Sequence, residues 1–110
     1  MLGTPTTNQP GAQAPLHTMP YSEKTKTAVK HAPRTLGSRL GKWAIHRDFS
    51  VLRISKFTGA TRQTVYNWMS GVEVTPAYRS RVQELINILE RQPTADQAWR
   101  QICEDYKLQA

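Results

Sequence analysis

Val51-Leu-Arg-Ile-Ser-Lys-Phe-Thr-Gly-Ala-Thr-Arg-Gln-Thr-Val-Tyr-Asn-Trp-Met-Ser-Gly71 decides the fold. Val51, Ile54, Ser55 and Phe57 place apolar and small residues at helical spacing, so the first part reads as a short helix. Gly59 takes the left-handed conformation without a Cβ penalty and stops that helix. Thr61 offers a hydroxyl N-cap for a second helix, whose Val65, Trp68 and Met69 share one face. Arg62, Gln63, Thr64, Tyr66 and Asn67 are left for solvent or a partner. The pattern fits two helices around a tight turn, with a polar edge on the second; a plain helical hairpin has the same outline.

Outward from this stretch, Leu36, Leu40, Trp43, Ala44 and Arg47 predict a preceding helix that begins near Thr35. Gly37 and Gly41 each weaken that helix by roughly 1 kcal/mol relative to alanine, so a neighbouring helix is expected to approach closely there. Beyond Gly71, Thr75 as N-cap and Pro76 at the first helical position start a helix to about Arg91, with Tyr78, Val82, Leu85, Ile86 and Leu89 as its stripe. Pro93 ends it. Thr94-Ala-Asp-Gln97 is a capping box that opens a last helix, about Ala95–Tyr106. No segment alternates with period two for a strand's length, so the predicted class is all-α, a compact bundle of about five helices.

Residues 1–33 contain Pro5, Pro10, Pro15, Pro20 and Pro33 among Thr, Gln, Ala and Gly. Such a segment buries too little apolar surface to offset its ordering entropy and is expected to be a disordered basic tail, with at most a transient helical turn over Tyr21–His31. Residues 34–91 form the predicted domain, and 92–110 an added amphipathic helix. Met1 and Met19 both stand as possible starts.

The chain has 110 residues and a formal charge of +7, one small domain plus tails. Residues 34–82 hold nine Arg or Lys against Asp48 and Glu73, residues 1–33 hold Lys24, Lys26 and Lys30 against Glu23, and residues 83–110 are net acidic. The positive excess therefore surrounds the two-helix stretch, where phosphates would need neutralising. Cys103 is the single cysteine, which excludes an internal disulfide or a multi-cysteine zinc site and fits a reducing, cytoplasmic compartment. No apolar run is long enough for a membrane span, and the N-terminus lacks the apolar core of a signal peptide. No catalytic triad, paired carboxylates, phosphate-binding glycine loop or metal cluster is present, so neither enzyme activity nor a cofactor, metal or small-molecule ligand is expected.

From about Thr35 to Leu89, half of the chain, the sequence resembles the Cro and repressor-type helix-turn-helix proteins of phages and bacteria. The resemblance is carried by Ile54-Ser55, Gly59-Ala60-Thr61, Val65, Trp68-Met69-Ser70-Gly71 and Thr75-Pro76. It implies a repressor-like fold whose third helix, about Arg62–Ser70, enters the major groove of double-stranded DNA. Two residues depart from the pattern. Val51 stands where the family often has a phosphate-contacting glutamine, so that contact is lost or passes to Ser50, Arg53 or Lys56. Ser55 replaces a frequent alanine and is small enough to keep the packing, with a further internal hydrogen bond available.

On this reading Arg62, Gln63 and Asn67 are the expected base readers, since Arg pairs with guanine and Gln or Asn with adenine. Arg39, Lys42, Arg53, Lys56, Thr61, Thr64 and Tyr66 are auxiliary or backbone candidates, and Ser70 and Gly71 are expected to present backbone N–H groups to phosphate. Lys24, Lys26, Lys30 and Arg34 make the tail either a flexible DNA-following arm or a passive tail. Trp99, Ile102, Cys103 and Tyr106 on the last helix either seal the core or form the face of a homodimer. The expected function is a sequence-specific transcriptional regulator, a small phage or prophage repressor. Alternatives are a DNA-packaging subunit of small-terminase type and a helical module or inhibitor that binds an acidic protein.

Overall fold

Hydroxyl side chains begin five of the helices. The computed structural model describes residues 20–108. It contains α1 (Glu23–Lys30), α2 (Leu36–Arg47), α3 (Val51–Thr58), α4 (Arg62–Met69), α5 (Pro76–Arg91) and α6 (Ala95–Tyr106), and no strand occurs among the described residues. Ser22, Thr35, Ser50, Thr61 and Thr94 each accept a hydrogen bond from the backbone N–H three residues on, satisfying a donor that the first turn leaves free. Thr75 makes no such bond. There Pro76 does the work, because its fixed φ suits a first helical position and it has no N–H to satisfy.

α2 is the central helix, packed against α5, α4 and α1. Its Leu40 and Ala44 are fully buried with Ile54, Val65, Met69, Leu85, Ile86 and Leu89. The two glycines explain how α2 and α4 come so close. A Cβ on Gly37 would lie 2.5 Å from the Trp68 carbonyl oxygen, and one on Gly41 would lie 3.1 Å from Met69 Cβ. Gly37→Ala should therefore destabilise the fold. Overpacking costs ~1–3 kcal/mol, the improved helix propensity returns ~1, and the clash wins because backbone cannot swing aside. Chemical denaturation should register a net loss of up to about 2 kcal/mol, and a stabilised variant would refute the close approach.

One expectation needs correction, and one pair of alternatives is narrowed. Within the described part of the N-terminal segment, Glu23–Lys30 form a helix, α1, docked on α2, which makes six helices among the described residues. Tyr21 is buried, and its hydroxyl donates to the Phe49 carbonyl at 2.5 Å. Burial, and then the neighbouring Tyr66 and Asp48, push that phenol well above its usual range, so it stays a donor. Val29 is buried against the Gly41 face. Two well-placed side chains thus offset an ordering cost that average composition does not meet. The disorder expectation for residues 1–19, and the possible start at Met19, lie outside the described residues, as do residues 109–110.

For α6, burial favours the first of its two alternatives, the core cover. Trp99 and Ile102 are buried within the subunit, so they are not an exposed dimer face. Trp99 meets Phe49 edge-on at 6.1 Å between ring centroids, and Tyr106 meets Phe57 at 4.9 Å. Cys103, half-buried, packs against the same core. The apolar stripe of α6 seals the bundle.

Candidate nucleic-acid interface

The joint between α3 and α4 is tied by its own side chains. Gly59 has φ 84° and sits in the left-handed region that favours glycine. Ser55 Oγ donates to the Ala60 carbonyl at 2.5 Å, the internal bond its sequence position offered. Thr58, buried, donates to Ile54 O at 2.8 Å and accepts from Ala60 N at 3.3 Å. Thr61 then caps α4 through Thr64 N at 3.2 Å. Beneath α4 lie Val65, Trp68 and Met69, all buried, which fixes its opposite edge outward.

That outer edge carries Arg62, Gln63, Tyr66, Asn67 and Ser70, all exposed. Gln63 Nε2 donates to Asn67 Oδ1 at 3.0 Å, so two of the expected readers are held side by side. Arg62 enters no ion pair among the described residues. Thr64 is half-buried, and its hydroxyl oxygen accepts from Thr61 Oγ1 at 2.9 Å.

Ser70 and Gly71 do not present free backbone donors. Ser70 N donates to Tyr66 O at 3.0 Å and Gly71 N to Trp68 O at 2.9 Å, because the chain closes α4 with its own carbonyls. Even the Ser70 hydroxyl donates to Tyr66 O and Asn67 O.

The basic excess is smaller at the surface than in the sequence. Arg81 donates to Phe57 O at 2.8 Å and stacks over the Phe57 and Tyr106 rings. Arg47 donates to Leu89 O at 2.9 Å and lies over Trp43. Arg53 reaches α6, 3.2 Å from Asp96 and over Trp99, which draws it away from the phosphate role left open by Val51. Ser50 is occupied as a cap, and of the three replacements only Lys56 is exposed with no ion pair among the described residues. Arg39 makes only a loose, exposed pair with Glu90 at 3.7 Å. Lys42 is exposed on α2 beside Arg34 and Arg39, around an open depression of about 520 Å³.

Sequence reasoning missed what stands beside α4. One side of α1, with Lys24, Thr25 and Ala28, faces Gln63, Asn67 and Ser70 across an open groove of about 430 Å³. Its other side turns Lys26 and Lys30 toward Lys42 and His46. The signals were present: Ser22 as a cap, Glu23 in the first turn and Lys30 in the last complement the helix dipole.

No protein-family model matches the chain, and neither curated proteins nor solved structures provide a match. No helix among the described residues is long and apolar enough to cross a membrane.

Proposed function

We propose that this protein is a sequence-specific double-stranded DNA-binding regulator of transcription, of the small repressor kind, acting by binding alone in the cytoplasm. The observation that carries the reading is the exposed edge of Arg62, Gln63 and Asn67 on a short helix pinned from below by Val65, Trp68 and Met69. A major groove admits one α-helix, and these side chain types pair with guanine and adenine edges there. Lys42, Arg39 and Lys56 supply sequence-independent attraction to phosphates. With the α6 stripe used internally, a second copy on an inverted repeat would have to meet the first through another surface.

Selection from a random duplex library tests the reading. Enrichment of one sequence supports it, and Arg62→Ala or Gln63→Ala should then cost roughly 1–3 kcal/mol and relax preference at one base position. Neither side chain belongs to the core, so thermal stability should hold. Binding without enrichment, together with ring assembly, would favour a packaging subunit. Absence of duplex binding even at low salt would favour an acidic protein partner.

A further inference from the structure

We propose that α1 is a fixed wall of the same interface, with Lys24 placed to neutralise a phosphate of the DNA strand that runs beside α4. The inference rests on the reading of α4 as the groove-entering helix, and it assigns the N-terminal segment a defined position instead of a flexible or passive one. Three observations carry it. The groove between α1 and α4 opens along the expected base readers, with Lys24 on one wall and Gln63 and Asn67 on the other. α1 is fastened in place by the buried Tyr21, bonded to Phe49 O, and by the buried Val29. Lys24 is exposed and in no ion pair among the described residues, whereas Lys26 sits 3.4 Å from Glu23.

The groove chemistry suits a phosphodiester backbone. Lys24 brings a cation, Thr25 a hydroxyl, and the small side chain of Ala28 leaves the space between the walls clear. Direction matters as much as charge. Lys30, six residues along the same helix, lines a different depression with Lys42 and His46 and does not face α4. A wall predicts that these two lysines behave differently; a loose basic arm predicts that they behave alike.

The full chain and its variants Lys24→Ala, Lys30→Ala and Ala28→Glu would be titrated against a labelled mixed-sequence duplex over a range of salt. Lys24→Ala should weaken binding about five- to tenfold at low salt, with a log–log salt slope shallower by ~0.9, one phosphate contact. Ala28→Glu should weaken it at least tenfold, because it places a carboxylate in the groove. Lys30→Ala should stay within twofold. All three positions are exposed, so the main melting transition of the core should stay close to that of wild type, and helicity at low temperature checks that α1 is kept. Equal effects of Lys24→Ala and Lys30→Ala, or no effect of Lys24→Ala and Ala28→Glu, would overturn the wall while leaving the role of α4 intact. Wild type that binds no duplex would remove the reading of α4 and the inference together.

Discussion

Ile102→Asp is expected to leave most of the chain unfolded at room temperature. Ile102 is fully buried, so the substitution both removes a core side chain and places a carboxyl group where no water reaches it. Losing the isoleucine volume costs roughly 2–5 kcal/mol, and an unpartnered polar group adds at least ~1–3. Small domains hold only ~0.05–0.15 kcal/mol per residue in reserve, so the sum is comparable to the whole stability. Ile102→Val, which keeps the chemistry and trims one methyl, should cost only ~0.5–1.5 kcal/mol. Circular dichroism melts with light scattering check both. A well-folded Ile102→Asp monomer derived from a dimeric wild type would instead restore α6 as a subunit contact.

Trp68→Ala comes next in size, at about 3–5 kcal/mol by urea denaturation followed by circular dichroism. Trp68 is 2% exposed and meets the Tyr78 ring at a tilt, 5.3 Å between ring centroids. Its backbone is also the surface against which Gly37 rests, so α2, α4 and α5 all meet at this one residue. α4 spans only eight residues, too few to be stable as an isolated helix, and its shape depends on what lies below it. Trp68→Phe should recover a large part of the loss by refilling the site with an aromatic ring. A drop of less than about 1 kcal/mol for the alanine variant would mean that Val65 and Met69 suffice to hold α4.

The parts of this fold that could be read from sequence are those governed by local rules. Gly59 had to be left-handed, Thr61 and Thr94 had to cap, and the helices they bound begin where those residues say. Gly37 and Gly41 announced a close approach, and the approach is there, although only the structure identifies Trp68 and Met69 as what fills it. α1 was lost among prolines because composition averages over a segment, while its order depends on Tyr21 finding a carbonyl twenty-eight residues away. The α6 stripe looked the same whether it met its own core or another subunit. Apolar periodicity says that a face is covered, never by what. The same blindness applies to charge: Arg47, Arg53 and Arg81 count in the formal total, yet each is engaged with an aromatic ring of its own chain. On α4 the outward edge was legible, but the pairing of Gln63 with Asn67 and the internal use of the Ser70 and Gly71 N–H groups were not.

The fastening of α1 chiefly by Tyr21 and Val29 bears on how the molecule opens. The remaining helices share one continuous core, whereas α1 buries only Val29 from its own length. Opening free energies follow such differences, and a segment with few buried contacts detaches long before the rest unfolds. The protein is therefore expected to show two thresholds in hydrogen exchange, a lower one for releasing its first helix and a higher one for the five-helix remainder. Amide hydrogens in Glu23–Lys30 belong to the first and those in α2 and α5 to the second. Between the two thresholds a state with an intact core, an undocked first helix and one side of α4 laid bare would be populated, and protection in Glu23–Lys30 equal to that in α2 would rule it out.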